Sequence, residues 1–578
     1  MKPFENKYVR LRVAIVGCFF SIFLLAIGAK AVYVQIFLGP WLSEKAAGQY
    51  EKSFISHGKR GTIYDTKYRE MAVSIDATSI AAYPHYINNP QATAKPLAKT
   101  LKINISAVKR KLSSKKSFVW IKRQITPREK KAVEDLELNG IGFIPEHTRF
   151  YPNRMLAAQL LGFSGIDSHG LEGIEFYYDK YLKGSSDKFT VLKDALGREF
   201  DAEKKAVQVY NGKNLILTID RTIQYITEKA LEEAVNDFSA KSGIAIVIDP
   251  NTGAVLSLAH FPFFNPNSFQ DFNREKWRNR AITDPFEPGS TMKIFTAAAA
   301  LEYGNCTPNT IFFGENGAYR IGENIIHDTK PHGWMSLQQI VKYSSNIGAV
   351  KVGEKIGQKA LYQTLRDFGF GKKTEIDCPG ETTGSLTKHD QWSKIDAGTI
   401  SFGQGISVSA IQLITAASVI ANDGILMKPY ITRAVYDQNG RLVQSFSPYK
   451  ARRVVSKKTA RTVNRIMKTV IATGGTGVKA ELKAYSVSGK TGTAQKIDKT
   501  GTYAKGKYMA SFIGFAPSEN PKITILVIID EPQEKYYGGI VAAPVFKKIA
   551  NETLNYLNIP PKSGNEKLTV SLGSEVIG

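Results

Sequence analysis

The chain has 578 residues, enough for three or four domains of ~150 residues with sizeable cores. Its 43% hydrophobic and 22% charged content excludes disorder over most of the length, three cysteines exclude a disulfide-stapled scaffold or a cysteine zinc cluster, and eight histidines with no HExxH or His/Cys cluster argue against a metal enzyme. The net charge of +25 points first to nucleic acid or an anionic surface, but no zinc-finger or RNP signature accompanies it, so no nucleic-acid partner is expected.

Val13 to Ala29 is apolar apart from Gly17, Ser21 and Gly28, and after Lys30 the apolar run resumes from Ala31 to Leu38. A helix needs about 20 residues to cross the hydrocarbon core, so residues 13–38 can span it, with Lys30 snorkelling toward the outer interface. Lys2, Lys7, Arg10 and Arg12 precede the span against one acid, Glu5. This bias puts residues 1–12 in the cytoplasm and the chain beyond the span outside. The run is long for a cleaved signal peptide and no small-x-small site closes it, so it reads as an uncleaved single-pass anchor in the inner (cytoplasmic) membrane. Later apolar stretches, such as Ile523 to Ile529, have strand length only. Cys18 lies in the span. Cys306 and Cys378 lie outside, and with no spacing that argues for a bridge both read as free thiols.

Residues 39–212 are mixed and basic, with short strand-like runs and many turns. Between Lys102 and Lys131 a dense run of Lys and Arg meets a single acid, Glu129, and reads as a solvated face of an extracytoplasmic domain. Lys59 to Asp65 reads as a loop entering a strand, Glu129 to Leu138 as a helix, Tyr151-Pro152-Asn153 as a turn and Met155 to Phe163 as helical. Gly170-Leu171-Glu172-Gly173-Ile174-Glu175 leads into another helix. No segment here has the composition of a nucleophile site; the region reads as a spacer or docking module.

The composition changes near residue 213. Asn214 to Ile219 has a strand pattern, and Ile223 to Phe238 is amphipathic and helical. Ile244 to Ile248 and Ala254 to Leu258 flank the turn Asp249-Pro250-Asn251-Thr252-Gly253 and predict a hairpin. Tyr508 to Ala516 and Lys522 to Asp530 predict another, around Pro517 to Pro521. Mostly helical segments lie between, including the Ala-rich run from Thr291 to Leu301. Strands at both ends of the domain with helices between predict one antiparallel sheet covered by helices, an α/β arrangement of the α+β kind. Residues 558–578 are polar and read as a loose tail.

The chemistry-bearing segments lie in this second region. In Glu287-Pro288-Gly289-Ser290-Thr291-Met292-Lys293, Pro and Gly make a turn and Ser290 falls at a helix start. Positions i and i+3 share a helix face, so Lys293 can reach the Ser290 hydroxyl. A serine is a poor nucleophile until a base takes its proton, and a lysine whose pKa is lowered by burial or a like charge can be that base. Ser-x-x-Lys also occurs at Ser56, Ser106, Ser113, Ser185, Ser385 and Ser447, but only Ser290 opens a buried apolar helix after Pro-Gly. Two further segments follow in order: Ser344-Ser345-Asn346, after a helical stretch, and Ser488-Gly489-Lys490-Thr491-Gly492-Thr493-Ala494, before the last hairpin. The ordered set SxxK, SxN, KTG resembles the signature shared by penicillin-binding proteins and class A β-lactamases, with Ser345 where that signature has Asp.

On these residues the chain closely resembles a class B penicillin-binding protein, the monofunctional peptidoglycan D,D-transpeptidase, over nearly its whole length. Arg60 to Asp65, Arg149-Phe150-Tyr151-Pro152 and Gly170 to Glu175 resemble the family's N-terminal pedestal. Arg278 to Asp284, Tyr536-Tyr537-Gly538-Gly539 and Ala543-Pro544-Val545-Phe546 are most similar to its division-type, FtsI-like branch; elongation-type relatives often carry Asp where Asn346 stands. A class A enzyme would need an added glycosyltransferase domain, of which residues 39–212 show no sign. The resemblance implies a serine-β-lactamase/penicillin-binding transpeptidase fold at 213–557, after an anchor at 13–38 and a dimerisation-like pedestal at 39–212.

It also implies roles. Ser290 attacks the D-Ala-D-Ala carbonyl of a stem peptide, Lys293 takes its proton, and Ser344 relays a proton toward the leaving D-alanine. Asn346 holds the substrate amide and Lys293; Lys490 supplies positive charge, bonds Ser344 and helps keep Lys293 neutral. Backbone N–H groups of Ser290 and Thr493 form the oxyanion hole, worth ~3 kcal/mol per donor. Thr491 and Thr493, with Gly492 between them, hold the substrate's terminal carboxylate. An amine of a neighbouring stem peptide then takes the acyl group. No metal or organic cofactor is implied. β-Lactams are the implied inhibitors, and a SEDS glycan polymerase (FtsW-like) and division-complex proteins the implied partners. A β-lactamase would need a water activator, and none is assignable. A D,D-carboxypeptidase, an elongation or sporulation transpeptidase and a non-catalytic division scaffold are the other readings, the last opposed by the intact motif residues.

Overall fold

The N-terminal apolar run is helical from Glu5 to Val32 and passes through a π-helical turn at Tyr33–Phe37. In the computed structural model, which describes residues 5–42, 45, 51–192, 210–498 and 501–561, the stretch Lys7–Phe37 is long and apolar enough to cross a membrane, with mean hydropathy 2.3 and its apolar window wholly exposed. Lys30 lies in the helix's last turn, above the Tyr33 ring. This helix belongs to a unit, Met1–Gly58 with Gly184–Tyr210, that also holds the antiparallel strand pair Glu51–His57 and Ser186–Leu192. Lys59–Lys183 with Asn211–Gly578 forms the second unit. Most of the expected polar tail, residues 562–578, lies outside the described residues.

In the second unit a seven-stranded sheet runs in the order Leu442–Ser445, Thr432–Tyr436, Asn214–Leu217, Ile63–Tyr64, Glu70–Ala82, Val119–Ile125, with Ile141–Phe150 also paired to Glu70–Ala82. The boundary read at 212/213 therefore falls beside a strand that pairs in parallel with Ile63–Tyr64 on one side and antiparallel with Thr432–Tyr436 on the other. The basic run is a solvated face: Leu97, Leu101, Val108, Leu112 and Val133 pack into a small core, while Lys109, Arg110, Lys111, Lys115 and Lys116 are exposed.

Two expected helices differ in extent. Helix Pro127–Glu134 starts earlier and ends sooner than expected, because Thr126 and Glu129 form a reciprocal capping box and Pro127 takes the first position. In Met155–Phe163 only Ala158–Leu161 is helical, bounded by positive φ at Ala157 and Gly162. The pedestal motifs meet in a buried ion cluster. Arg60 Nε donates to Glu175 Oε2 at 2.6 Å, Arg149 Nε donates to Glu175 Oε1 at 2.6 Å, and Arg60 Nη1 reaches Asp179. Burial alone would raise the Glu175 pKa, but Arg149 and Arg60 hold it below the usual carboxylate range.

The second sheet positions the site. Helix α1 (Arg221–Asp237), capped by Asp220, precedes the hairpin β1 (Ser242–Ile248) and β2 (Val255–Phe261). Then come helices α2 (Lys293–Glu302), α3 (Leu337–Tyr343), α4 (Asn346–Ile356), α5 (Ala410–Ala421) and α6 (Lys457–Ile471). Strands β3 (Ser488–Ile497), β4 (Tyr503–Ala516) and β5 (Ile523–Asp530) and helix α7 (Ala543–Tyr556) close the domain. The order is β3-β4-β5-β1-β2, antiparallel throughout, as the two hairpins predict. Both faces are covered. Ile244, Ile246, Ile513, Leu526 and Ile528 face the core that holds α2 and α5, while Ala245, Val247, Phe512, Ile525 and Val527 face α1 and α7. A strand buried on both faces reads as an unbroken apolar run, which is why Ile523 to Ile529 shows no alternation. Strand β3 is an edge.

Candidate active site

Ser290 lies in a 3-10 turn, Gly289–Met292, that feeds directly into α2 at Lys293. Thr291 closes the turn by donating from Oγ1 to Pro288 O at 2.7 Å. Gly289 takes φ +54, and its N–H donates to Gly403 O at 3.1 Å. A Cβ on Gly403 would stand 2.1 Å from Gly289 O, so this backbone contact requires glycine. Ser290 is half-buried and Lys293 fully buried; Lys293 Nζ lies 3.0 Å from Ser290 Oγ.

Ser344, Ser345 and Asn346 join two helices. Ser344 ends α3 with φ 64, a left-handed conformation uncommon for serine, and this turns its carbonyl toward Lys293. Ser345 caps α4, accepting from Gly348 N at 2.8 Å. Where the motif elsewhere has Asp, the Ser345 hydroxyl instead donates to Asp328, whose carboxylate also accepts the N–H groups of Asn346 and Ile347. Lys293 Nζ donates to Ser344 O and to Asn346 Oδ1, each at 2.7 Å. Both acceptors are carbonyl oxygens and can only accept. A neutral amine spends its two N–H bonds on them and keeps its lone pair for the Ser290 hydroxyl.

Lys490, Thr491, Gly492 and Thr493 lie on the edge strand β3 beside the Ser290 turn. Lys490 Nζ is fully buried and donates to Ser344 Oγ at 2.9 Å and Thr491 O at 3.1 Å. The same Ser344 Oγ lies 3.3 Å from Lys293 Nζ, so one hydroxyl sits between two amines. Thr491 Oγ1 pairs with Thr476 Oγ1 at 2.9 Å, and Thr493 Oγ1 accepts from Gly538 N at 3.1 Å. A Cβ on Gly492 would stand 2.3 Å from Ser511 Oγ and 2.9 Å from Thr291 Cγ2, so this glycine lets the strand close against the Ser290 turn.

Burial lowers the Lys293 pKa to about 7, against Asp328, which favours the charged form. Lys490 is drawn well below its ordinary range, first by burial and then by the like charge of Lys293. Two ammonium groups this close disfavour each other, and their titrations belong to the pair. Burial is thus what lowers Lys293, in place of the help expected from Lys490; the repulsion between the two falls on Lys490.

All eight residues singled out from the motifs come together in one site. Sequence reasoning missed Asp328, Thr476 and Gly403, and a link at the rim: Glu287 accepts from Gly405 N at 2.9 Å and from the Tyr503 hydroxyl at 3.2 Å. Glu287 precedes Ser290 in the motif, but nothing in the sequence near Gly405 or Tyr503 marks them as its partners. Cys306 and Cys378 are free, as expected, and both are buried. Among the described residues no group of three or more His, Cys, Asp or Glu could hold a metal ion.

The profile of the penicillin binding protein transpeptidase domain matches residues 243–551, and that of the penicillin-binding protein dimerisation domain matches residues 55–217. The chain is 34% identical over 558 residues to the probable peptidoglycan D,D-transpeptidase PenA of Neisseria gonorrhoeae, covering 95% of this chain and 93% of the relative. It is 35% identical over 510 residues to the peptidoglycan D,D-transpeptidase FtsI of Escherichia coli strain K12, covering 87% and 84%. It is 33% identical over 567 residues to the Stage V sporulation protein D of Bacillus subtilis strain 168, covering 96% and 88%. Among solved structures, penicillin-binding protein 3 of Mycobacterium tuberculosis complexed with aztreonam matches with a TM-score of 0.70 and 28% identity, covering 88% of this chain and 98% of that one. The chain belongs to the class B penicillin-binding proteins and has the architecture of their FtsI-type members.

Proposed function

We propose that the protein is a peptidoglycan D,D-transpeptidase that cross-links stem peptides at the division septum through a Ser290 acyl-enzyme. The observation that carries this reading is the buried Lys293 amine, 3.0 Å from Ser290 Oγ with its N–H groups taken by two carbonyl oxygens. Lys293 removes the Ser290 proton as Oγ attacks the penultimate D-Ala carbonyl. Ser344, between Lys293 and Lys490, passes a proton to the departing D-alanine nitrogen. Asn346 orients Lys293 and the substrate amide. The outer edge of β3 offers backbone groups to an extended peptide; the N–H groups of Thr493 and Ser290 hold the oxyanion, and Thr491, Gly492 and Thr493 line the carboxylate's place. An acceptor stem-peptide amine then attacks the acyl carbon and frees Ser290. β-Lactams enter by the same acylation and stay, because their leaving group remains tethered.

The same reading sets the protein in the inner membrane through residues 13–38, with 1–12 cytoplasmic, 39–212 a non-catalytic pedestal, 213–557 catalytic and 558–578 a tail. Its partners are an FtsW-like SEDS polymerase and division-complex proteins. The test is a fluorescent-penicillin gel: native protein labels and holds its label, and Ser290→Ala does not label. Labelling of Ser290→Ala, or rapid loss of label from the native chain, would sink the mechanism. A sporulation transpeptidase is the second reading, favoured by the similarity to Stage V sporulation protein D. Depletion during vegetative growth separates the two, since filaments mean division and unchanged cells mean sporulation.

A further inference from the structure

A cleft in the second unit lies away from the catalytic residues. Its volume is about 800 Å³, and its wall includes the aromatic rings of Tyr177, Tyr178, Tyr181, Tyr430, Phe446 and Tyr449. The first three come from the short pedestal helices Gly173–Tyr177 and Asp179–Leu182 and the Tyr178 that joins them, the others from the segment around the strands Thr432–Tyr436 and Leu442–Ser445. Several rings are fixed before any ligand arrives. The Tyr178 hydroxyl donates to Asp377 at 2.7 Å, the Tyr181 hydroxyl donates to Gln444 at 2.6 Å, and the Phe446 ring stands edge-on to Tyr178 at 6.2 Å. Tyr177 and Tyr449 are 46% and 62% exposed, so large apolar ring area remains open to solvent at the cleft.

The charges of the cleft are mostly spent internally. Lys428 pairs with Glu375 at 3.1 Å, and the Asp377 carboxylate accepts from Ile431 N, Thr432 N and Tyr178. Lys180 lies over the Tyr181 ring. In a chain of net charge +25 this is not a phosphate or acidic-peptide pocket, because it offers no cluster of free cations. It suits a neutral ligand that has an apolar face to lie on a ring and hydroxyl or amide groups at its edge. A pyranose sugar has that construction, with its axial C–H bonds forming the flat face and its polar groups the rim.

We infer that this cleft is a saccharide subsite that holds N-acetylated amino sugars of a glycan strand, outside the peptide-binding catalytic site. The inference rests on the transpeptidase reading, in which the substrate is a peptide carried on such a strand. Rings held in place in advance lower the ordering cost of binding. A strand held there tethers its stem peptides and raises their effective concentration at Ser290.

The test uses the full chain in a sugar-free detergent, titrated with chitotetraose, the β-1,4-linked tetramer of N-acetylglucosamine, and separately with a sugar-free stem pentapeptide. Saturation-transfer NMR should show contact to the sugar-ring protons of chitotetraose. Tyr177→Ala and Tyr449→Ala should each weaken binding by about tenfold, the scale of one lost aromatic contact, and the matching Phe variants should stay within about twofold of native. Fluorescent-penicillin labelling of Ser290 should be unchanged in all four variants, which keeps failure of the cleft separate from failure of the transpeptidase reading. No transfer to the sugar, equal affinity in the Ala variants, or displacement of the sugar from the cleft by the pentapeptide would overturn the inference.

Discussion

A lysine that serves as a base has to be neutral when the substrate arrives, and in this site burial does most of that work. Because the Lys293 pKa sits at about 7, the neutral fraction grows with pH up to that point and saturates above it. The second-order rate of penicillin acylation should therefore rise about tenfold per pH unit below 7 and flatten above it. Lys293→Arg should abolish this profile, since a guanidinium does not deprotonate, and should cut the rate by roughly 10³-fold. A pH-independent rate in the native enzyme would exclude Lys293 as the base. Asp328 gives a second handle on the same group. Its charge favours protonated Lys293, while its oxygens hold the backbone of Asn346 and Ile347. Asp328→Asn keeps an acceptor oxygen for those N–H groups and removes the charge. The inflection of the acylation profile should move to lower pH; an upward shift would contradict the assigned electrostatics.

At the scale of elements, helix α1 carries an acid into the core. Glu228 accepts from Ala157 N at 2.7 Å and Gln224 Nε2 at 2.8 Å, joining α1 to the pedestal turn. Burial raises its pKa to about 8 despite these bonds. A folded-state pKa above the unfolded value means that the associated stability is full below about 4.5 and is lost as pH rises through about 8. Glu228→Gln should remove that slope and gain on the order of a few kcal/mol relative to native at pH 9, read as denaturant midpoints at pH 5 and 9. A native stability that rises across this range would refute the buried-acid account. Elements such as β5 and α1 were legible because their signals are local: an unbroken apolar run of strand length, and an amphipathic stripe over Ile223 to Phe238. The three catalytic segments were legible for the same reason, since spacing within each places its residues on one turn or strand. Asp328 was not, because its bonds to Ser345–Ile347 cross a loop and no nearby pattern marks it. Arg60 stands in a legible motif, but its pairing with Glu175 depends on how a distant turn folds back. The seven-stranded sheet was illegible too, being assembled from short strands far apart in sequence.

At the scale of the whole second unit, pedestal and catalytic domain share one hydrophobic core. Ile63, Met71, Tyr151, Leu160, Phe163, Ile174 and Leu182 pack in the same cluster as residues of α2 and α5. Phe163 stacks on Phe269 at 4.0 Å and meets Trp277 edge-on at 5.0 Å. Leu215 and Ile216 pair with Ile63 and Tyr64 on one side and with residues of Thr432–Tyr436 on the other. Separate sequence matches for the two regions thus do not make them independent folding units. A fragment starting at 213 would expose this apolar face and leave the strand Asn214–Leu217 with a free edge. A fragment 59–561 keeps the face covered. We expect 59–561 to be monomeric and to label with penicillin in one cooperative melting unit. We expect 213–561 to aggregate or to melt at least roughly 10 °C lower, although its catalytic residues are all present. Size-exclusion chromatography and thermal melts of the two fragments, each with penicillin labelling, decide the point. If 213–561 stays monomeric with the melting temperature and labelling rate of 59–561, the shared core contributes little, and the pedestal is a separable module that can be exchanged without loss to the catalytic domain.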